Sequence, residues 1–368
     1  MHIHSHPRRK LIRKACLGAL VGALIASMPI QAETKFKDPL DFPAQQRSAI
    51  EKRPLMAIAP AGGHLVAVGS RGVIARSEDD GKTWTQSAVP VQSDLLAVHF
   101  PTAQDGWAVG HDGVILHSGD GGKTWTKQFD GRIAADAFKK YYAAQADNPE
   151  IQASAKHIAQ NYKAGPALPW LDVWFEDTQK GFVVGSFGLI AATVDGGKTW
   201  EPWLHRIDND HVQPLNLNSI RGVGTNLYIC AERGIVLKLD RTNQRFQKTS
   251  TGYVGSFFGM VGQADTLLAF GLRGVVYRSG DGGAKWEALK MPAEATVTAG
   301  AVSRDTGGFV LVNSAGQLLQ ADAQGQSFKV VPAAKPMRYT VIVLAKDGSA
   351  ILSGLAGVRS ETLAGKGQ

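Results

Sequence analysis

Ser118-Gly-Asp-Gly-Gly-Lys-Thr-Trp125 is the stretch that decides the fold, because the chain repeats it. Three further segments share the form Ser/Thr-x-Asp-x-Gly-x-x-Trp: Ser77–Trp84, Thr193–Trp200 and Ser279–Trp286. Two further segments of the same length are eroded copies. Ala321–Phe328 keeps the glycine and an aromatic residue, and Leu239–Phe246 keeps only the aromatic residue. Self-similarity of this kind predicts a repeat architecture.

A second repeat lies just upstream of each box, where a short apolar strand enters a tight glycine turn. The turn glycines are Gly72, Gly113, Gly188, Gly234, Gly274, Gly316 and Gly357. Their separations are 41, 75, 46, 40, 42 and 41 residues, which is a period near 40 with one stretched step. Each unit reads as four short apolar strands. The pattern predicts an all-β fold, a seven-bladed β-propeller with Asp-box (BNR-like) repeats.

The last unit supplies three strands before the chain runs out, and an open blade would expose a sheet edge. The segment around Phe36 to Ile50 precedes the first blade, and we expect it to add the missing strand and close the ring. The predicted organisation is therefore a signal peptide at 1–32, a closing segment at 33–54, the propeller at 55–363 and a disordered tail at 364–368.

The stretched step contains an insertion, residues 132–165, between blades 2 and 3. Ala134–Ala146 is rich in alanine, Pro149 suits a first helical turn, and Ile151, Ala155 and Ile158 recur at helical spacing. The insertion is predicted to be a helical hairpin. An insertion of this length serves either as a docking element or as a spacer packed on the propeller.

The first 32 residues have the pattern of an export signal. Arg8, Arg9, Lys10, Arg13 and Lys14 precede an apolar stretch from Leu17 to Ile30, and Ala32 suits a cleavage site. Arg8-Arg9 leaves both Sec and twin-arginine export open. Cleavage removes five basic residues and no acid, so the formal net charge falls from +8 to +3. We expect an exported, periplasmic protein that does not bind nucleic acid and has no membrane-spanning segment after cleavage.

The box residues are interpreted as structural. The hydroxyl and carboxylate of each box can accept backbone N–H groups of the loop, the glycine takes a positive φ, and the aromatic residue packs beside the next blade. A loop repeated around a ring cannot surround one substrate. The residues assigned this role are Asp79, Gly81, Trp84, Asp120, Gly122, Trp125, Asp195, Gly197, Trp200, Asp281, Gly283 and Trp286.

Strand parity places the seven glycine turns and the insertion on one face of the ring, called the top face below, and the boxes on the other. Arg71, Arg233 and Arg273 precede their glycines at equivalent places, where guanidinium groups could bind a carboxylate-bearing partner. The predicted partner-binding residues are Arg71, His111, Asp112, Glu232, Arg233 and Arg273 on the turns, and Phe138, Tyr141 and Tyr142 on the insertion.

No cofactor, metal site or catalytic group is predicted. His64, His99, His117 and His157 are spread over different blades and faces with no zinc-like spacing, and Cys230 reads as a buried apolar residue.

With these residues in view, the chain resembles the photosystem II stability/assembly factor family of Asp-box propellers. The boxes containing Gly-Lys-Thr-Trp, the Arg-Gly-Val/Ile turns and the export signal carry the resemblance, which covers roughly residues 36–363. It implies a non-catalytic lumenal or periplasmic factor that binds a membrane-protein segment through an arginine-lined face, here Arg71, Arg233 and Arg273. In non-photosynthetic bacteria it implies a companion of an envelope complex, such as an RND-type exporter.

The predicted function is thus a monomeric periplasmic propeller that assists a membrane-protein complex through its top face and helical insertion. A sialidase-like glycoside hydrolase is the alternative from another class, although Arg132-Ile133 is followed by alanine where such enzymes carry proline. A carbohydrate-binding propeller is a third reading, because Trp107, Trp170 and Trp174 could stack on sugars.

Overall fold

The computed structural model describes residues 38–145, 147–208 and 215–363. The predicted signal peptide and the predicted tail at 364–368 lie outside the described residues. The innermost strands of successive sheets contact each other in turn, and the innermost strand of the seventh sheet contacts that of the first. Seven sheets therefore form a closed ring, and the predicted seven-bladed β-propeller with a small helical region is confirmed.

Every sheet is an antiparallel meander, and its strands are numbered from the axis of the ring outward. Blades 1 to 3 consist of β1 Leu55–Ala61, β2 His64–Gly69, β3 Ile74–Ser77 and β4 Thr85–Gln86; β5 Leu95–His99, β6 Gly106–Gly110, β7 Ile115–Ser118 and β8 Thr126–Phe129; β9 Trp170–Phe175, β10 Gly181–Gly185, β11 Ile190–Thr193 and β12 Glu201–Pro202. Blades 4 and 5 consist of β13 Leu217–Val223, β14 Asn226–Ala231, β15 Ile235–Asp240 and β16 Arg245–Ser250; β17 Phe257–Gln263, β18 Thr266–Gly271, β19 Val276–Ser279 and β20 Glu287–Ala288. Blades 6 and 7 consist of β21 Val297–Val302, β22 Phe309–Asn313, β23 Leu318–Ala321 and β24 Lys329–Val331; β25 Tyr339–Leu344, β26 Ala350–Gly354 and β27 Gly357–Glu361.

The second strand of each blade is the most apolar and the most deeply buried. Gly106–Gly110, Gly181–Gly185 and Phe309–Asn313 are buried at every position, because blades cover both faces of these strands. The core is consequently a series of layers between adjacent blades, each filled by branched aliphatic and aromatic side chains.

The predicted closure by an N-terminal strand is wrong for the described part of that segment. Residues 38–54 form two 3-10 turns, Pro39–Asp41 and Ile50–Lys52, and no strand, and the seventh blade has three strands among the described residues. Pro39 and Pro43 lack the N–H that strand pairing needs. The main chain bonds instead to the connector after blade 1, where Ala44 N donates to Val89 O at 2.9 Å and Gln92 N donates to Pro39 O at 2.7 Å.

The ring closes through side chains between the first and seventh blades. Leu55 N donates to the Ser353 hydroxyl at 3.2 Å, and the Thr340 hydroxyl donates to Leu55 O at 2.9 Å. Ile50, buried, joins the same apolar cluster as Ile351. The first and seventh blades are thus joined by two hydroxyl groups and an apolar cluster, and the described N-terminal residues add no strand to the seventh blade.

The insertion forms two antiparallel helices, α1 Gly131–Ala143 and α2 Pro149–Asn161. The Asp130 carboxylate caps α1 by accepting the N–H groups of Arg132 and Ile133, and the Asn148 side chain accepts the N–H of Glu150 at the start of α2. α1 buries Ala134, Phe138 and Tyr142, a spacing of four residues that places one helix face on the propeller.

Candidate functional site

The top-face turns share an unusual backbone conformation. In five blades the residue before the turn glycine is a non-glycine residue with positive φ: Arg71 (56°), Asp112 (59°), Phe187 (54°), Arg233 (57°) and Arg273 (55°). The glycine that follows also has positive φ in each case. L residues occupy this region at a cost of order 1–2 kcal/mol, so each turn must be stabilised by its surroundings.

In three of the five turns the N–H at the positive-φ position is held by the side chain of the residue immediately before the next blade. Arg71 N donates to the Asp94 carboxylate at 2.7 Å, and Phe187 N donates to the Asn216 side chain at 2.8 Å. Arg273 N makes a longer bond of 3.4 Å to the Thr296 hydroxyl. These partners were not predicted from the sequence, although an Asp, Asn or Thr directly before an innermost strand is the signal that could have identified them.

Fixing the main chain leaves the three arginine side chains projecting from the turns. Arg71, Arg233 and Arg273 are exposed, and within the described part of the chain their guanidinium groups make no hydrogen bond or ion pair. They stand at matched positions in blades 1, 4 and 5, as the sequence predicted. Three cations on one face can receive carboxylates of a partner.

The other predicted turn residues differ in availability. His111 is exposed. The Asp112 carboxylate accepts the Ser93 hydroxyl at 2.7 Å, and the Glu232 carboxylate accepts Asn216 N at 3.0 Å and its amide nitrogen at 3.1 Å. Both carboxylates are therefore engaged in holding their own loops.

A ring of β-bulges forms the mouth of the axial channel. In every innermost strand the pairing register shifts by one residue near its start. The residues skipped by these shifts are Met56, Leu96, Leu171, Asn218, Phe258, Thr298 and Thr340. All seven line one cavity of about 290 Å³.

The channel mouth is partly apolar and open. Met56 and Phe258 expose 40% and 39% of their side chains, and on the surrounding turns Phe187, Leu272 and Leu355 are exposed by 52%, 42% and 59%. An exposed apolar group beside unpaired arginines is typical of an interaction surface. These residues were missed by sequence reasoning, because a side chain at the start of an innermost strand reads as core.

Deeper in the channel, one wall is polar. Asp172, 4% exposed, accepts the N–H groups of Val173 and Ile220 and pairs with the Arg221 guanidinium. Beside them, burial lowers the pKa of His99 to about 3, with a smaller contribution from the Arg221 charge. His99 accepts the N–H of Phe175, so this ring links blades 2 and 3 as a neutral group.

Two residues of the insertion that were predicted to contact a partner are buried, and for them the prediction is wrong. Phe138 is 0% exposed and packs on Phe129 and Trp170 with ring-centroid separations of 5.9 and 6.5 Å. Tyr142 is 2% exposed and packs on His205. Tyr141, half-buried, also lies against His205. An alanine-rich helix hides its few aromatic residues because they carry most of its apolar area.

The hairpin lies beside the channel mouth rather than among the residues that line it. On α2, His157 and the Asn161 amide both lie 3.0 Å from Phe187 O and so hold the blade 3 turn. Between the two helices is a groove of about 560 Å³, bordered by Lys139 and Lys156, which are exposed.

The four boxes share one hydrogen-bond pattern. In the first, the Ser77 hydroxyl donates to Asp79 and accepts Gly81 N, while Asp79 also accepts the N–H and hydroxyl of Thr83 at 2.8 and 2.6 Å. The indole of Trp84 donates to Gly81 O at 3.0 Å. In the other boxes the Ser or Thr hydroxyl likewise donates to Asp120, Asp195 or Asp281, and each carboxylate accepts the main-chain N–H four residues further on. The indole bond recurs at Trp125 and Trp286, whereas the Trp200 indole has no partner among the described residues. Each carboxylate is occupied within its own loop, which supports the interpretation of the boxes as structural.

These bonds predict an acid-dependent stability. The hydroxyl and N–H of Thr83 hold the pKa of Asp79 at about 2, below its ordinary value of 3.8. A depressed carboxyl pKa stabilises the folded state fully above about pH 4, and that contribution is lost as the pH falls toward 2. We therefore expect Asp79→Asn to lower the unfolding temperature at pH 5, with a difference from the unsubstituted protein that shrinks between pH 4 and pH 2. Thermal unfolding followed by circular dichroism measures it.

Asp80→Asn in the same loop is the control, because Asp80 accepts none of the box hydrogen bonds. A difference for Asp79→Asn that stays constant from pH 5 to pH 2 would contradict the assignment.

Other reactive residues are packed away. Cys230 is buried and burial raises the pKa of its thiol. Trp107 and Trp170 are 1% and 0% exposed and so cannot stack on a sugar, whereas Trp174 stacks on His99 with ring centroids 4.0 Å apart. In the described part of the chain no three His, Cys, Asp or Glu side chains are grouped to hold a metal ion. No described helix is long and apolar enough to cross a membrane.

The fold and this face together define the class of protein: the chain is a seven-bladed Asp-box propeller with arginines and an apolar channel mouth on one face. Within that class, the chain belongs to the family described as photosynthesis system II assembly factor YCF48, whose model matches residues 53–143 and 160–333. The unmatched residues between these ranges fall in the hairpin.

One relative is the photosystem II assembly lipoprotein Ycf48 of Synechococcus sp. (strain CC9902), which is 30% identical over 189 residues. The match covers 49% of this chain and 54% of the relative, so the chain spans about half the length of the curated relative it matches.

Solved structures agree on the fold. A structure of YCF48 bound to a D1 peptide has a TM-score of 0.61 at 16% identity, covering 88% of this chain and 99% of that one. YCF48 from Cyanidioschyzon merolae gives a TM-score of 0.60 at 15% identity, with 89% and 100% covered. The WD40 propeller domain of Doa1 gives 0.60 at 10% identity, with 89% and 97% covered. At these identities the likeness concerns the fold alone.

Proposed function

We propose that this chain is an exported, non-catalytic factor that binds a segment of a membrane-protein complex through its top face and assists the assembly or action of that complex. Membership of an assembly-factor family supports the class of function. The signal-like pattern of residues 1–32 supports export to the periplasm, where the client is an envelope complex such as an RND-type exporter.

The observation that carries the proposal is the group of three exposed arginines on the face of the apolar channel mouth, Arg71, Arg233 and Arg273, whose guanidinium groups have no partner among the described residues. Each of them lies on a turn with positive φ, which costs free energy, and the side chains of Asp94 and Thr296 hold the main-chain N–H groups of Arg71 and Arg273 there. A polypeptide that presents carboxylates to the arginines and an apolar side chain to Met56 and Phe258 fits this surface.

The test is affinity capture by the mature protein from detergent-solubilised envelope. A specific inner- or outer-membrane complex retained by the protein supports the proposal, provided that retention depends on the top-face arginines. Retention that is independent of those arginines would contradict it. Release of sugar from a panel of synthetic glycosides would favour the glycosidase alternative instead.

The hairpin is the second part of the proposed docking surface. Lys139 and Lys156 border its groove from opposite helices, and neither makes an ion pair among the described residues. We expect Lys139→Glu with Lys156→Glu to weaken capture about tenfold, mainly by slowing association, because charges at the rim of an interface steer encounter. Association rates from surface plasmon resonance measure the effect.

Lys198→Glu, an exposed substitution in a box loop on the opposite face, is the matched control. Replacing residues 134–163 by a linker is a poor test, because it would expose Trp170 and Phe129, which Phe138 covers. Equal association rates for the groove variant and the control would leave the hairpin as a spacer.

A further inference from the structure

A second arginine group lies where the N-terminal segment meets blade 1. Arg47, Arg53, Pro54, Ser70, Arg71 and Val73 line a cleft of about 330 Å³. Of the three arginines, only Arg71 belongs to the repeated turns. The other two arginines come from residues 38–54, which precede the first blade, so the cleft exists only because this segment folds back on the ring.

The main chain around each arginine is fixed. Arg47 N donates to the Gln86 side chain at 2.7 Å, and the Gln86 amide donates to Gln45 O at 2.9 Å, which ties the segment to β4. Arg53 donates from Nε to Ser48 O at 3.3 Å, and the buried Ile50 between them anchors the turn in the core. Arg71 N is held by Asp94. In the described part of the chain the terminal nitrogens of all three guanidinium groups have no acceptor.

The residues that line this cleft carry positive charge only. Three arginines line it, and none of the described residues that line it is acidic; the nearest carboxylate that the hydrogen bonds place beside it is Asp94, which accepts Arg71 N. Like charges around one cavity repel each other, so an anion in the cavity would stabilise the folded segment. The Ser70 side chain, exposed on the cleft wall, adds a hydroxyl donor.

We propose that this cleft binds a phosphate group. A carboxylate has two oxygens and is satisfied by one guanidinium, whereas a phosphate offers three or four acceptor oxygens to several planar donors. Three guanidinium groups and a hydroxyl match the larger oxyanion. The phosphate belongs either to a soluble phosphate compound or to the monoester headgroup of phosphatidic acid, and both sources present at least three acceptor oxygens to the cleft. This site does not depend on the proposed function of the top face.

Inorganic phosphate is the first probe, titrated by isothermal calorimetry into the whole protein. The test variant is Arg47→Gln with Arg53→Gln, which leaves Arg71 and the top-face arginines unchanged. We expect phosphate affinity to fall at least about tenfold, the scale of losing one charge-assisted hydrogen bond. Arg304→Gln, at an exposed arginine in the turn between β21 and β22, is the matched control and should bind like the unsubstituted protein.

Arg47→Lys with Arg53→Lys retains the charge but not the planar donors, and should bind with intermediate affinity. This variant also keeps the test informative if the glutamine variant unfolds. A second arm measures sedimentation with phosphatidylcholine vesicles with and without phosphatidic acid. Cleft-dependent binding to the anionic vesicles identifies a headgroup, and cleft-dependent binding of phosphate without vesicle binding identifies a soluble compound.

Two results would overturn the proposal. One is the absence of binding to both phosphate and anionic vesicles by the unsubstituted protein. The other is binding that the cleft variants and the Arg304 control retain equally, which would indicate a general electrostatic attraction.

Discussion

Replacing Arg71, Arg233 and Arg273 together by glutamate is expected to reduce recovery of the client complex at least about 100-fold. Charge-assisted hydrogen bonds contribute about 1.5–3 kcal/mol each, and reversing the charges also introduces repulsion, so three losses exceed two factors of ten. The fold should be unaffected, because the three side chains are exposed and their guanidinium groups hold no structural contact in the described chain. Quantitative capture from solubilised envelope and thermal unfolding measure the two properties.

The control for this prediction is Arg304→Glu, which makes the same Arg-to-Glu change at one exposed site away from the top-face turns. Because Arg71 also lines the proposed phosphate cleft, Arg233→Glu with Arg273→Glu should be measured as well. This double variant tests the top face alone and is expected to lose at least about tenfold in recovery. If the triple variant recovered the client complex fully, the three arginines would not belong to the client-binding site.

Phe138→Ala is expected to destabilise the protein by about 3–5 kcal/mol, the largest effect that we predict for a single substitution. The side chain is completely buried between Phe129 and Trp170, and its removal leaves a cavity where the hairpin packs on the blades. The free energy of unfolding in urea, monitored by tryptophan fluorescence, measures this effect.

Ile133→Ala on the same helix is the matched control, because Ile133 is 47% exposed. Its effect should stay within about 0.5 kcal/mol. A loss of client binding by Phe138→Ala without a loss of stability would restore the sequence-based prediction that Phe138 is a contact residue.

The ring of β-bulges at the channel mouth, called the channel collar, shows why a repeat fold can carry an individual site. All seven innermost strands have the same bulge, so the backbone is equivalent in each blade, whereas the residue at the bulge varies from Met56 and Phe258 to Asn218 and Thr298. Constant backbone geometry with variable side chains is the arrangement by which repeated scaffolds present different binding surfaces.

Much of the architecture was readable from the sequence because its determinants are local. A box closes its own hydrogen bonds within eight residues, as Ser77, Asp79, Thr83 and Trp84 do, and its sequence is therefore recognisable in four copies. The turn glycines need positive φ at fixed intervals, which sets the blade count. The helices of the insertion follow from alanine content, from Pro149 and from caps adjacent in sequence.

Only the tertiary structure decided the features that join distant residues. Phe138 and Tyr142 are buried because blade 3 lies beside α1. The local sequence of an alanine-rich helix does not predict which of its faces will contact the ring. The N-terminal segment follows the blade 1 connector because Pro39 and Pro43 cannot pair as a strand, and that path brings Arg47 and Arg53 to Arg71. The sequence by itself thus determined the repeated unit, the number of blades and the matched arginine turns. The closure of the ring, the channel collar and the arginine cleft depend on contacts across 20 to about 300 residues, as from Arg47 to Arg71 or Leu55 to Ser353, which local propensity does not encode.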